Sequence, residues 1–283
     1  MSGPLRGVLL SALLAAGAPV AALDVRPTVT SVTDQRWSGQ LPSWLDVSLK
    51  LIGDDAASVR GIRLILAKAV DDSGRSVLPE VRADGPFDAV EAGSGQPALT
   101  LRLNSPARRA TVIQEIAGDL QLFVPDRDPS AIVLVGDALK KTGKPLSEPS
   151  LARAGISLTI MTKVEYEALK REKERSAKQG AQQPEGVARA MTHALEGLFG
   201  GFFQPGDNDL VFRIEDPKGG LVRIDVVDAK GERIRNQGTF RSSERLMLTY
   251  QDPLPADARL RISLRTPRSV VSVPLRLVDV ALP

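Results

Sequence analysis

The chain has 283 residues, with 37 basic and 34 acidic side chains, one histidine and no cysteine. The near balance of charge, +3 at neutral pH, leaves no electrostatic footprint for nucleic acid. The absence of cysteine excludes a disulfide scaffold, a thiol nucleophile and a thiolate metal site, and a single histidine excludes a multi-histidine metal centre.

The first residues read as an address. Arg6 is the only charge before Asp24, the run from Gly7 to Ala16 is apolar and short, and Val20-Ala21-Ala22 offers small side chains for a signal peptidase. A basic start, a short apolar core and a small-residue exit make a secretory signal peptide over 1–22. The run is too short to span a bilayer, which takes about 20 residues. Cleavage after Ala22 leaves Leu23 to Pro283 as an exported chain in the periplasm or outside the cell, with no transmembrane segment.

From there, apolar and polar residues alternate. Leu45-Asp46-Val47-Ser48-Leu49-Lys50-Leu51 puts its aliphatic side chains on one face, and Leu99-Thr100-Leu101-Arg102-Leu103 repeats the pattern. With Thr28–Val32, Ile62–Leu66, Leu120–Val124, Ile132–Val135 and Ile156–Ile160, this makes about seven short strands separated by turn residues, which fits an antiparallel sandwich. The expected first module is 23–162. Asp71-Asp72-Ser73-Gly74 reads as a hairpin turn; its carboxylates could face a calcium ion, but the longer ligand alternation of a calcium loop is missing.

A helical connector is expected over 163–208. Val164 to Lys178 is dense in charge, with pairs such as Glu167–Arg171 at i,i+4 supporting a solvated helix. After a Gly/Gln/Pro break, Val187, Met191, Leu195, Leu198, Phe199 and Phe202 recur at helical spacing. This amphipathic helix either covers an open sheet face or presents Phe199, Phe202 and Phe203 to a membrane surface or partner. Its polar face lacks a lysine cluster, which weakens the membrane reading. His193 lies on it, with Arg189 and Gly197 four residues away, so no metal partner stands at helical spacing.

The expected second module is 209–283, with strands at Leu210–Ile214, Leu221–Val227, Leu246–Tyr250, Leu260–Leu264 and Val270–Leu282. Gly231 closes a hairpin after Asp228. Pro274 cannot donate to a ladder, which places the last strand at an edge or on a bulge. The strand that ends in the turn at Gly74 and the strand that ends at Gly231 look alike, which suggests duplication of one module.

Two groups of side chains stand out as binding surfaces. Arg259, Arg261 and Arg265 share one face of a strand, and Arg233 and Arg235 flank Ile234. In one sheet they would make a guanidinium stripe suited to an acidic partner or anionic polymer, or a solvated face that blocks edge pairing. Trp37 and Trp44, the only tryptophans, could stack on sugar rings or pack at the rim of the core. No phosphate cradle, serine elbow, metal-ligand helix or cofactor motif is present.

The signal segment, the alternating strands and the closing Val271–Pro283 resemble exported bacterial proteins of tandem immunoglobulin-like sandwiches. The resemblance implies a mainly β fold, two antiparallel β-sandwich domains joined by a helical connector. It carries over no catalytic residue. The expectation is a non-enzymatic interaction or scaffold protein of the bacterial periplasm or cell envelope, with a protein or envelope-polymer partner; the alternative is a glycan- or anionic-ligand-binding module.

Overall fold

The structure, a computed structural model, describes residues 23–36, 43–79, 86–91, 95–180, 205–242 and 244–283. In chain order the strands are β1 (Arg26–Gln35), β2 (Trp44–Ile52), β3 (Gly61–Asp71), β4 (Asp88–Ala89), β5 (Ala98–Asn104), β6 (Val112–Phe123) and β7 (Ile132–Val135). After the short helix α1 (Pro149–Ala154) come β8 (Ser157–Ile160), the helix α2 (Lys163–Gly180), β9 (Leu210–Glu215) and β10 (Leu221–Val227). The last four are β11 (Gly238–Arg241), β12 (Arg245–Thr249), β13 (Arg259–Leu264) and β14 (Val270–Ala281). The fold is mainly β, and every ladder between these strands is antiparallel.

The strands form four sheets that face each other in pairs. The first pair sets β1-β2-β5 against β14-β6-β3-β4. Leu45, Val47, Leu49 and Leu51 of β2 point inward with 0% exposure, against Ile116, Leu120 and Leu122 of β6 and Leu275 of β14. Period-two alternation makes one apolar face per sheet, and here the facing sheet covers it. Each fully buried aliphatic side chain contributes about 1.5–3 kcal/mol to that closure. The second pair sets β10-β13-β7 against β11-β12-β9-β8, around Phe212, Ile214, Val226, Leu260 and Ile262.

The strand membership redraws the expected division at 162 and 209. The last strand, β14, leaves the second pair and lies on β6, with Leu277 opposite Ile116. β7 and β8, expected in the first module, lie in the second pair: β7 on β13 and β8 on β9. Alternation specifies which face of a strand is apolar but not which distant strand it will meet. Pro274 stands on β14 opposite Asp119, and β14 is the outermost strand of its sheet, where a missing N–H costs no ladder bond.

The charged segment after Met161 forms α2 and begins with a reciprocal cap. The Thr162 N–H and hydroxyl donate to Glu165 Oε2 at 2.8 and 3.0 Å, and the Glu165 N–H donates to the Thr162 hydroxyl at 3.2 Å. Its first turns are not wholly solvated. Tyr166 and Leu169 pack on Met161, Val211, Met247 and Phe240, covering the outer face of the β9–β12 sheet. Residues 181–204 of the expected connector lie outside the described residues, as does the expected signal peptide.

The two hairpin turns each rest on a glycine in the left-handed region, Gly74 at φ +82° and Gly231 at φ +86°. A Cβ at either position would meet nothing within 4 Å, so alanine there would incur only the backbone cost of about 1–2 kcal/mol. Gly74→Ala and Gly231→Ala are each expected to lower stability by that amount in urea titration. An unchanged midpoint in both would mean the turns are not held as described.

Candidate functional site

The arginine-rich face lies on the outer side of the β10-β13-β7 sheet, and it is organised around an acid. On β13, Arg259, Arg261 and Ser263 alternate with buried Leu260 and Ile262. Opposite Arg261 on β10 stands Asp225, whose residue exposure is 6%. The chain after the Gly231 turn runs back along the free side of β10, with a bridge between Val227 and Arg233 and a bond from Ile234 N–H to the Val226 carbonyl at 2.9 Å. Arg233 therefore approaches Asp225 from one side and Arg261 from the other.

Three guanidinium groups converge on that carboxylate. Arg223 Nε and Arg233 Nε donate to Asp225 Oδ1 from 2.7 and 2.9 Å, and Arg261 Nη2 lies 3.6 Å from Oδ2. A second acid comes from the other sheet pair: Glu91, just past β4, takes Arg223 Nη2 at 2.8 Å and pairs with Arg233. The Arg223 side chain is only 14% exposed. Burial lowers its pKa, but the charges of Asp225 and Glu91 outweigh this and raise it. Tyr250 borders the group from the second core; its burial, and then the Asp225 charge, push its phenol well above the usual tyrosine range. A buried carboxylate is tolerated only when paired and hydrogen-bonded, and this one is.

Beside the ions the two sheet pairs make apolar contact. Phe87 meets Phe123 edge-to-face with ring centroids 6.3 Å apart, and both pack with Val222 of β10 and Ala131 ahead of β7. The Arg63 guanidinium sits 4.7 Å over the Phe87 ring, and it also holds the Gln121 side-chain oxygen. Aromatic burial plus a flanking cation makes this a desolvated seam rather than a wet contact.

The remaining arginines of the expected stripe have other roles. Arg259 donates to the carbonyls of Asp228 and Ala229 at 3.2 and 2.8 Å, bracing the Gly231 turn. Arg265 donates to the Lys218 carbonyl at 2.8 Å. Arg235 is exposed. The structure thus brings Arg233 and Arg261 together and leaves Arg235, Arg259 and Arg265 outside the cluster. Sequence reasoning missed Asp225, Arg223, Glu91 and Phe87. The legible signal was Asp225 itself, an acid at an outward position of β10 two residues from Arg223.

Trp44 opens β2 on the outer face of the other sheet pair, remote from the arginines in the fold. Its indole N–H donates to Asp46 Oδ2 at 3.0 Å, and Arg102, paired with Asp46, lies 4.7 Å over the ring. One face of the indole is covered by that guanidinium. Trp37, His193, Phe199, Phe202 and Phe203 lie outside the described residues.

The acidic turn at 71–74 is a structural brace. The Asp71 residue is 0% exposed, and its carboxylate accepts from Ser73 N–H and hydroxyl, Arg75 N–H and Ala107 N–H, all within 2.7–3.0 Å. Asp72 accepts from the Thr111 N–H and hydroxyl. Among the described residues, no group of three or more His, Cys, Asp or Glu could hold a metal ion. An open cleft of about 660 Å³ is lined by Ile156, Glu215, Asp216 and Glu244, among others. The Asp216 carboxylate there is engaged by the Gly220 and Leu221 N–H groups at 2.7 Å each. No described helix is long and apolar enough to cross a membrane.

Two acids give the fold a pH dependence. Burial raises the pKa of Asp71, but the donors from Ala107, Ser73 and Arg75 more than reverse this and lower it. At Glu91, burial likewise raises the pKa and Arg223 and Arg233 bring it below the ordinary value. A carboxyl depressed on folding adds stability above its unfolded pKa of about 4, and that stability is lost as pH falls through the folded value. Stability is therefore expected to be flat near neutrality and to drop below about pH 4. Glu91→Gln should reduce the acid slope, and an identical slope in wild type and variant would refute the assignment.

Compared with family models, with curated proteins and with solved structures, the chain matches none.

Proposed function

We propose that the chain is an exported, non-enzymatic interaction or scaffold protein of the bacterial periplasm or cell envelope, made of two immunoglobulin-like modules with a helical connector. The observation that carries this reading is where its chemistry is used. The dense group of charged side chains around Asp225 joins one sheet pair to the other: Asp225 and Glu91 are both paired with Arg223 and Arg233, and Arg261 adds a longer ion pair. Such a group fixes geometry and leaves no activated nucleophile or poised proton donor. Two aliphatic cores held at a desolvated seam make a stiff body that displays surfaces, which is what a scaffold requires.

The outward face of the β10-β13-β7 sheet supplies the candidate docking surface, with Arg235 exposed and Leu134 at 52% exposure. Export rests on the basic, apolar and small-residue order of 1–22. The test is expression of the full chain in a bacterial host, with a photo-crosslinking residue at Leu134 or Arg235. The expected result is a chain trimmed after Ala22 in the periplasmic fraction and a discrete protein adduct at one of the two positions. An untrimmed cytoplasmic chain would overturn export. No adduct, together with saturable, salt-sensitive binding to acidic glycans, would replace the scaffold with the ligand-binding alternative.

A further inference from the structure

We infer that the chain is a duplicated module whose two closing strands have changed places, so that the second module is threaded through the first and the two share their stability. The repeat is visible in the turns. In the first, Asp71 N–H donates to the Arg75 carbonyl, Gly74 N–H to the Asp71 carbonyl, and Val77 N–H to the Ala69 carbonyl, at 2.9–3.0 Å. In the second, Asp228 N–H donates to Glu232, Gly231 to Asp228, and Ile234 to Val226, again at 2.9–3.0 Å. The side chains repeat as well: Asp71 Oδ1 accepts from the N–H groups two and four residues on, and so does Asp228 Oδ1.

The sheets repeat in the same order. β1, β2 and β5 are neighbours in one sheet, as β8, β9 and β12 are in the other pair. β3 lies on β6 as β10 lies on β13. Each sheet is then closed by a strand on the far side of β6 or β13. The strand that follows β6 in the chain is β7, and it closes β13; the strand that follows β13 is β14, and it closes β6. The two connecting segments touch where they pass, through Val124 N–H to the Ser269 carbonyl and the Thr266 hydroxyl to Asp128, both at 2.7 Å. The repeats differ in their added edge strands, β4 beside β3 and β11 beside β12.

The exchange has a thermodynamic consequence. The second module is contiguous, and its ends are adjacent when folded, because Ile132 and Ser263 are ladder partners. The first module must bring Phe123 and Val270 together across it. With the second module folded, only the short connectors have to close. With it unfolded, the whole intervening chain must, a loop roughly tenfold longer. Loop closure varying as the 3/2 power of length makes β14 pairing roughly 30-fold less favourable. Linkage makes the same factor act on the second module when the first unfolds.

The chain has no cysteine, so the experiment can be done in full length by adding two. Ile132→Cys with Ser263→Cys is expected to oxidise within one chain, tying the ends of the second module together. Combined with Phe212→Ala, which weakens the second core, or with the milder Ile262→Val, native-state hydrogen exchange of β2 amides is the readout. With the pair reduced, β2 protection should fall along with that of the second core. With it oxidised, β2 protection should recover by up to roughly 30-fold while β9 amides stay weakened. Coupling through the seam alone predicts that β2 recovers only as far as β9 does, since the staple restores no seam contact and acts there only through the second module's own stability. Failure of the pair to cross-link, or β2 protection that ignores either core variant, would overturn the exchange.

Discussion

Phe123→Ala is expected to lower the stability of the chain by about 3–5 kcal/mol, the range for deleting a fully buried aromatic side chain. Phe123 is 0% exposed and stands where β6 ends and the second pair begins. Its ring packs on Phe87, Ala131 and Val222, which come from both sides of the seam, and neither side can relax into the cavity without shifting its own sheet. The Phe123 carbonyl also accepts the Arg60 N–H at 2.8 Å, fixing the backbone in place. At about 2–4 °C per kcal/mol for a chain of this size, the melting temperature should drop by roughly 10 °C. Phe123→Leu keeps most of the volume and should cost less than about 1.5 kcal/mol. Urea titration of both variants reads this directly; equal losses would mean the ring is not enclosed between the pairs.

Asp225→Ala has the second large effect. It removes the one carboxylate shared by Arg223, Arg233 and Arg261 and leaves Glu91 alone against three cations. Removing one partner from a buried ion group costs about 3–5 kcal/mol, because the charges left behind keep their desolvation cost and lose their compensation. The Arg233 and Arg261 side chains are 24% and 32% exposed and can turn toward water, so the low end of about 3 kcal/mol is expected. The contrast is Lys140→Ala, which breaks an ion pair whose side chains are 66% and 65% exposed and should leave the urea midpoint where it was. A loss at Asp225 no larger than at Lys140 would show that the cluster does not hold the seam.

The alternating segments were legible because burial on one face of a strand leaves a period of two. Leu45 to Leu51 reads as β2 from its aliphatic spacing alone, and Leu260, Ile262 and Leu264 mark the inner face of β13 in the same way. Pro274 announced an edge because it has no N–H to give. The partners of β7 and β14 were not legible, since nothing in Ile132–Val135 or Val270–Ala281 distinguishes one apolar sheet edge from another. Alternation puts Arg259 and Arg261 opposite the buried Leu260 and Ile262 of β13, but it does not show what the arginines touch. Arg233 pairs with Glu91 across 142 positions of sequence, and no local pattern reports a contact of that range. Trp44 illustrates the opposite case. Asp46 stands two residues away on the same strand face and could have been read as its hydrogen-bond partner, whereas the Arg102 that covers its ring needed the β2–β5 register.

The acid brace at Asp71 and the reciprocal cap at Thr162–Glu165 show the same division. Apart from the Ala107 N–H that Asp71 also accepts, both follow from side chains two to four residues from the backbone groups they satisfy, and that local part was within reach of the sequence. The seam is not local, and it is what joins the two cores.

Differential scanning calorimetry of the full-length chain tests that junction most directly. One transition is expected, with equal calorimetric and van't Hoff enthalpies, because the seam and the exchanged strands make the two cores melt together. Two resolved transitions, each with the enthalpy of a single module, would contradict it.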